Sequence, residues 1–419
     1  MSVLRIRRFF VFSLAQTVSQ FGDKLDWMAL ISVLAIYTKG SPTALSQLML
    51  FGALPALIFG PISGVFVDRW HRKKVMITCD AIRTVLVFLI PFAIKATGNI
   101  FSVYAIVFFV FLAGLFFNSS KMSIIPNLVS EERLLAANSV NNFIGRFATV
   151  GGTFLGGFVI AWAGWETIGW QGWEAGFYLD SFTYLFSVIA LSTIAVTVKR
   201  ANPAPSAWID ETGRRVGKAF PKLLADLRES FRLIVRDRAI SFVMGSILVL
   251  FTIMGTVYVT AIVLVQQILK KGTAGVGTLG AIAAIGMIVG SLLYGMAGGK
   301  LPKRHVILVG FGLIGILMVC FSLLSSFSIL SVLAILAGLA LAPIMISQDT
   351  LLHEVIPEEI RGRIFAAREW GLNWILVISA LVTGLIAELT SVRGTLLVVG
   401  GLVLLLSLAG EATSRFWKW

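Results

Sequence analysis

The sequence predicts an all-α membrane protein, with twelve transmembrane helices in two six-helix, pseudo-symmetric halves. Three observations predict it. Of the 419 residues, 57% are hydrophobic and only 13% are charged, too little charge to solvate a soluble chain of this length. Apolar runs of about 20 residues recur along nearly the whole length, and each can cross a hydrocarbon core about 30 Å thick. Residues of the first half also return in the second at one fixed offset.

The spans are expected near 9–37, 44–67, 75–97, 100–124, 136–163 and 175–198, then near 239–268, 273–299, 306–326, 328–352, 364–390 and 392–412. Basic residues precede the first run, as in a signal peptide. The run from Phe9 to Tyr37 is too long for a signal h-region and has no small-residue cleavage site. Cys79 and Cys320 both fall in apolar runs, so no disulfide framework is expected. The formal net charge of +14 is a topology signal. The N-terminus, the loops at 68–74, 125–135, 199–238, 300–305 and 353–363, and the C-terminus hold 25 of the 35 Lys and Arg residues. The opposite side holds 5, at Lys39, Lys95, Lys270, Lys271 and Arg393. Loop basicity sets orientation, so both termini are expected in the cytoplasm of a cell with this chain in its cytoplasmic (inner) membrane. Nucleic acid is not an expected partner.

The long hydrophilic stretch 199–238 separates an N-terminal bundle (1–198) from a C-terminal one (239–419). From Lys218 it is basic and amphipathic, with Leu223, Leu224, Leu227, Phe231 and Ile234 at helical spacing. This fits either a helix lying on the bilayer surface or a solvated connector. Gly64, Arg69, Arg72 and Lys73 are matched 231 positions later by Gly295, Lys300, Lys303 and Arg304, and Pro126 and Asn142 by Pro357 and Asn373. Ala136-Ala137 is matched by Ala366-Ala367 at 230. Two like halves related by an axis along the membrane normal would produce this offset.

The segment Gly64-Val-Phe-Val-Asp68-Arg69-Trp-His-Arg72-Lys73-Lys74 resembles the loop signature of the major facilitator superfamily. His71 stands where the family usually has Gly, and Gly299 replaces the acidic residue of the second copy. Phe21-Gly22-Asp23 and Leu227–Arg236 resemble the branch of macrolide-efflux and siderophore-export proteins, and bacterial lysophospholipid transporters share the first segment. Gly152-Thr153-Phe-Leu-Gly156-Gly157 resembles the fifth-helix signature of exporters, with Thr153 in place of Pro and Ala148 in place of a leading Gly. The resemblance implies secondary active transport by alternating access. It also implies that Gly64, Asp68, Arg69, Arg72 and Lys73 form a cytoplasmic gate, in which Asp68 holds the two halves together.

Intramembrane charge marks the candidate cavity. A charge at mid-membrane costs about 2.5–3.5 kcal/mol on the insertion scale, yet Asp23, Lys24 and Asp26 all lie near the centre of the first span. Asp23 and Asp26 share a helix face that Gln16 and Gln20 extend. They suit a proton site, or else a buried pair that only fixes helix packing. Asn138, Asn142, Arg146, Thr149 and Thr153 form one polar stripe on the fifth span. There Arg146 is expected to bind an anionic substrate group or to pair with a first-span carboxylate. Glu369 and Asn373 occupy the equivalent region of the eleventh span. Asp68 and Arg72, four apart, are expected to pair on one turn. Asp80 and Arg83 are read as a structural pair beside the gate, with Asn118 and Lys121 as possible members of that network. Trp162, Trp165, Trp170 and Trp173 at one end, with Trp417 and Trp419 at the other, are read as interfacial aromatic belts.

No phosphate-cradling loop is present: Gly213–Lys218 and Gly295–Lys300 have the wrong spacing. His353-Glu354 has Pro357 where a zinc protease needs its second His, so no enzyme, cofactor or metal site is expected. The leading expectation is a monomeric, proton-coupled exporter of amphipathic small molecules, drug-like or siderophore-like. A lysophospholipid transporter is the alternative within the class. A non-transporting binding or sensor protein is the alternative outside it.

Overall fold

The computed structural model describes residues 2–194, 237–297, 301–356 and 358–413. The amphipathic segment after Lys218, Trp417 and Trp419 lie outside the described residues, as do the side chains of Asp68, Arg69 and Glu369 and the surroundings of Gly64. Six long helices come first: α1 (Arg7–Tyr37), α2 (Pro42–Arg69), α3 (Arg72–Thr97), α4 (Ile100–Leu128), α5 (Leu134–Ala161) and α6 (Gly172–Thr193). Six more follow: α7 (Arg238–Val263), α8 (Gly272–Ala297), α9 (Lys303–Leu323), α10 (Phe327–Val355), α11 (Glu358–Leu389) and α12 (Val392–Thr413). The shortest, α9, has 21 residues, about 31 Å at 1.5 Å per residue. Eleven of these helices are long and apolar enough to cross a membrane. The exception is α1, which is long enough but carries Asp23, Lys24 and Asp26 in its middle.

Local chemistry sets the helix starts. The Ser41 hydroxyl accepts the Ala44 N–H at 3.2 Å ahead of Pro42, Asn99 accepts the Phe101 N–H at 3.0 Å, and Asp237 accepts two N–H groups of α7. Each of these satisfies donors that the first helical turn leaves unpaired. At α6 the Glu174 carboxylate accepts the Gln171 N–H at 2.7 Å in a capping box.

The 231-residue offset recurs in the backbone. Arg7 and Arg238 open α1 and α7, and Lys39 and Lys270 both take left-handed conformations, with φ of 52° and 51°. Arg72 donates to the Ser123 carbonyl at 2.9 Å, and at the same offset Lys303 donates to Glu354 at 2.8 Å.

Within the first six helices α1 packs on α5 and α6, α3 on α4 and α6, and α2 on α4. Within the last six, α8 packs on α10, α9 on α10 and α12, and α7 on α11. Two seams join the sets, α5 against α8 and α2 against α11. Both are tight at the end remote from the chain termini, here called the distal end. The Glu388 carboxylate of α11 accepts the Ser41 hydroxyl at 2.7 Å and the Thr43 N–H at 3.1 Å, an anion at the positive end of α2. Nearer mid-depth, Trp370 donates to the Leu57 carbonyl at 3.2 Å.

At the other seam glycine is required. A Cβ on Gly157 would lie 2.8 Å from the Thr273 carbonyl oxygen, and one on Gly277 would lie 2.7 Å from that of Thr153. Backbone cannot yield as a side-chain tip can, and overpacking of this kind costs about 1–3 kcal/mol. Gly157→Val is therefore expected to open the distal seam. In a background lacking Cys79 and Cys320, labelling of Thr153→Cys by a membrane-impermeant maleimide should rise about tenfold from the distal side. Unchanged labelling would mean that the close approach does not seal the molecule.

Candidate functional site

The three mid-span charges of α1 go to two different places. Asp23 turns into the first six helices, where its Oδ1 sits 2.9 Å from Nη2 of Arg83 on α3. The Tyr184 hydroxyl of α6 donates to the same oxygen. Nη1 of Arg83 lies 3.5 Å from Asp80, one turn back on α3, and the guanidinium stacks 4.1 Å above the Tyr184 ring. Asp180 on α6 is fully buried, accepts the Thr183 hydroxyl at 2.9 Å through Oδ1, and has no partner for Oδ2. Asp26 is 5% exposed, and its Oδ1 likewise lacks a partner.

Gly22 makes this assembly possible. A Cβ there would overlap both the Thr183 hydroxyl and Asp180, so the Phe21-Gly22-Asp23 segment lets α1 lie directly against the polar face of α6. Asp23, Asp26, Asp80 and Asp180 all lie within electrostatic reach of Arg83. Lys121 on α4 is buried within reach of Asp23 and Asp80.

Two cavities adjoin this cluster. A polar one of about 440 Å³ is lined by Asp23, Lys24, Asp26, Arg83, Asn118 and Tyr184, among others. An apolar one of about 610 Å³ lies between the two sets of helices, with Ile253, Met254, Ile314 and Leu333 among its walls. Lys24 and Trp27 line both, so α1 is the partition between them. Tyr258 packs against Trp27 in the wall of the apolar cavity, with ring centroids 6.2 Å apart.

The internal repeat breaks here. At the 231 offset Asp23, Asp26 and Arg83 correspond to Met254, Val257 and Ile314. All three counterparts line the apolar cavity. One half thus carries charge where the other carries hydrocarbon.

Several expectations are corrected. Asp80 and Arg83 do pair, at 3.5 Å, but not beside the gate. Arg83 lies eleven residues into α3, about 17 Å along it, and is the hub of the buried cluster. The guanidinium that meets the first-helix carboxylate is that of Arg83, not Arg146. Arg146, Asn138 and Asn142 have exposed side chains, and of that stripe Thr149 and Thr153 line the apolar cavity. Asp68 and Arg72 do not share a helical turn, because α2 ends at Arg69 and α3 begins at Arg72. Arg72 donates instead to Ser123, and Lys73 donates to the Ser192 and Ile194 carbonyls at the end of α6 at 2.9 and 2.8 Å. Asn373 is exposed. Trp173 is 1% exposed and belongs to the core, whereas Trp162, Trp165 and Trp170 cluster at the distal end.

Asp180 and Tyr184 were missed. The signal for Asp180 was available, since it is an intramembrane carboxylate like Asp23. Tyr184 carries no such signal, because a tyrosine in an apolar run reads as packing.

The sequence profile of the Major Facilitator Superfamily matches residues 12–270 and 244–413. The chain belongs to the major facilitator superfamily. It is 23% identical over 416 residues to YfiS, an uncharacterized MFS-type transporter of Bacillus subtilis, covering 94% of this chain and 90% of that one. It is 25% identical over 419 residues to Macrolide efflux protein A of Streptococcus pyogenes, covering 96% and 94%. The crystal structure of the nucleoside transporter NupG superimposes with a TM-score of 0.72 at 13% identity, covering 97% of this chain and all of that one. At that identity the likeness is one of fold. As a superfamily member this protein is a multi-pass membrane transporter and not an enzyme.

Proposed function

We propose that this superfamily transporter is a proton-coupled exporter of amphipathic small molecules, acting as a monomer in the cytoplasmic membrane with both termini inside the cell. The observation that carries the reading is the surplus of buried carboxyls beside a substrate-sized cavity. Three buried carboxyl groups, Asp26, Asp80 and Asp180, and the half-buried Asp23 lie within electrostatic reach of Arg83, with Lys121 as the only other buried cation among the described residues. Leaving the surplus ionised in a buried site is far more costly than neutralising it with protons. A site that must hold protons, and that opens to a cavity shared across α1, can exchange them as the halves rock. The distal seams are tight, which with cytoplasmic termini corresponds to a state facing the cell interior. Likeness to Macrolide efflux protein A supports the outward direction.

The test is flux in everted membrane vesicles carrying the overexpressed chain, with cationic dyes, a macrolide, a catecholate siderophore and a fluorescent lysophospholipid. With an acidic lumen, protons leaving should drive substrate in, and a protonophore should abolish the uptake. Lysolipid movement indifferent to the gradient would replace this reading with that of a lipid flippase. Binding with no flux of any substrate would replace it with that of a sensor.

A further inference from the structure

The apolar cavity has one ionised wall. Among the side chains lining it, Lys24 alone carries a charge, and Thr149, Thr153 and Tyr258 are neutral. Its volume of about 610 Å³ falls within the roughly 300–1,000 Å³ of sites that enclose drug-sized ligands. Lys24 has no hydrogen-bond or ion-pair partner among the described residues, although Asp23, one position away, is doubly engaged. The two are about 100° apart on the helix, so the carboxylate turns into α3 and α6 while the lysine turns toward α5.

The seat of Lys24 is built for it. A Cβ on Gly152 would lie 2.9 Å from Cβ of Lys24 and 3.0 Å from its Cγ, and one on Gly156 would lie 3.3 Å from its carbonyl oxygen. The glycines of α5 thus form a groove that holds the lysine stem against the helix, at the partition where Lys24 borders both cavities. A second cation stands on the face of α5 that carries Thr149 and Thr153. Arg146 lies three residues before Thr149 and seven before Thr153, is exposed, and is unpaired among the described residues. Carboxylates with which a cationic ligand could pair line the other cavity, beyond α1.

We propose that the apolar cavity binds an amphiphile with one anionic group, with its apolar body among α7, α8, α9 and α10 and its anion on Lys24, approached past Arg146. This rests on the transport reading and narrows it: protons belong to the first six helices, and the body of the substrate to the last six. An unpaired cation at mid-membrane is costly. A ligand anion relieves that cost while its hydrocarbon leaves water. A soluble amphiphilic acid and a single-chain anionic lipid share this chemistry.

The experiment is equilibrium binding to the purified full-length protein in a neutral detergent, using a dansyl-labelled undecanoate, its methyl ester and the matching undecylamine. A charge-assisted contact predicts that the undecanoate binds about tenfold or more tighter than the ester, with the amine weakest. Lys24→Gln should bring the acid-to-ester ratio to about one, and Lys24→Arg should retain the preference. Arg146→Gln should slow association of the acid more than that of the ester. Binding of the wild type without that charge order, or an unchanged ratio in Lys24→Gln, overturns the proposal and leaves Lys24 as a balance for the α1 carboxylates. If Lys24→Gln does not fold, the wild-type order together with Lys24→Arg decides. Displacement of the undecanoate by lysophosphatidylglycerol supports the site and assigns it to lipid, displacement by cholate alone supports it and assigns it to soluble acids, and displacement by neither overturns it. Failure of proton-driven flux with the charge order intact would sink the transport reading alone. Driven flux without the charge order would sink only this site.

Discussion

Arg83→Gln is expected to be the most damaging single substitution in this protein. The guanidinium answers Asp23 at 2.9 Å and Asp80 at 3.5 Å, and lies over Tyr184. Breaking a buried ion pair by removing one partner costs about 3–5 kcal/mol, because the remaining charge stays in the low-dielectric interior. Here two carboxylates would lose their partner at once. The purified variant should melt far below the wild type, with little protein reaching the membrane. Arg83→Lys should fold but remain weakened, since an ammonium cannot address Asp23 and Asp80 with separate nitrogens as the planar fork does. Adding Asp23→Asn to Arg83→Gln should restore part of the loss. A single variant melting like the wild type would show that the cluster does not depend on this guanidinium.

Asp26→Asn is expected to abolish accumulation driven by a pH gradient while leaving the protein folded. Asp23 has its Oδ1 engaged by Arg83 and Tyr184, whereas Asp26 is buried with Oδ1 free and lines the polar cavity. It is therefore the carboxyl best placed to load and release a proton without dismantling the cluster. Asn preserves shape and neutrality but cannot ionise. In reconstituted vesicles net uptake against an imposed gradient should fall to the level of empty vesicles, while exchange of substrate against substrate persists. Gradient-driven uptake at the wild-type rate would remove Asp26 from coupling. Loss of both uptake and exchange would indicate damage to the substrate path instead.

Legibility differed sharply between fold and site. Span positions follow from apolar run length, which the bilayer converts directly into helices, and the expected ends lie within a few residues of those observed for most elements. α11 is an exception, beginning at Glu358 rather than near 364, because charged residues can extend a helix beyond the hydrocarbon. The loop signature was visible, but its spacing misled. Asp68 and Arg72 look like a helical pair only if the chain does not turn between them, and it turns at Trp70 and His71. Arg146 and Arg83 are both charged and intramembrane, and spacing alone points to Arg146, because Asp80, three residues from Arg83, offers Arg83 a local partner.

By itself the sequence determined the twelve helices, the two like halves, the basic face and the helix that carries charge into the membrane. These follow from local composition and periodicity, which act within one segment at a time. Only the tertiary structure decided that Asp23 meets Arg83 and Tyr184, that Gly22 admits α6, and that Lys24 turns the other way. Those are relations between helices, and helical spacing within a run does not say which neighbour a face will meet. The apolar cavity was the least legible feature of all. In a bilayer, residues that face lipid, a neighbouring helix or an empty space are equally apolar, so Met254, Val257 and Ile314 carry no mark in the sequence of the space that they enclose.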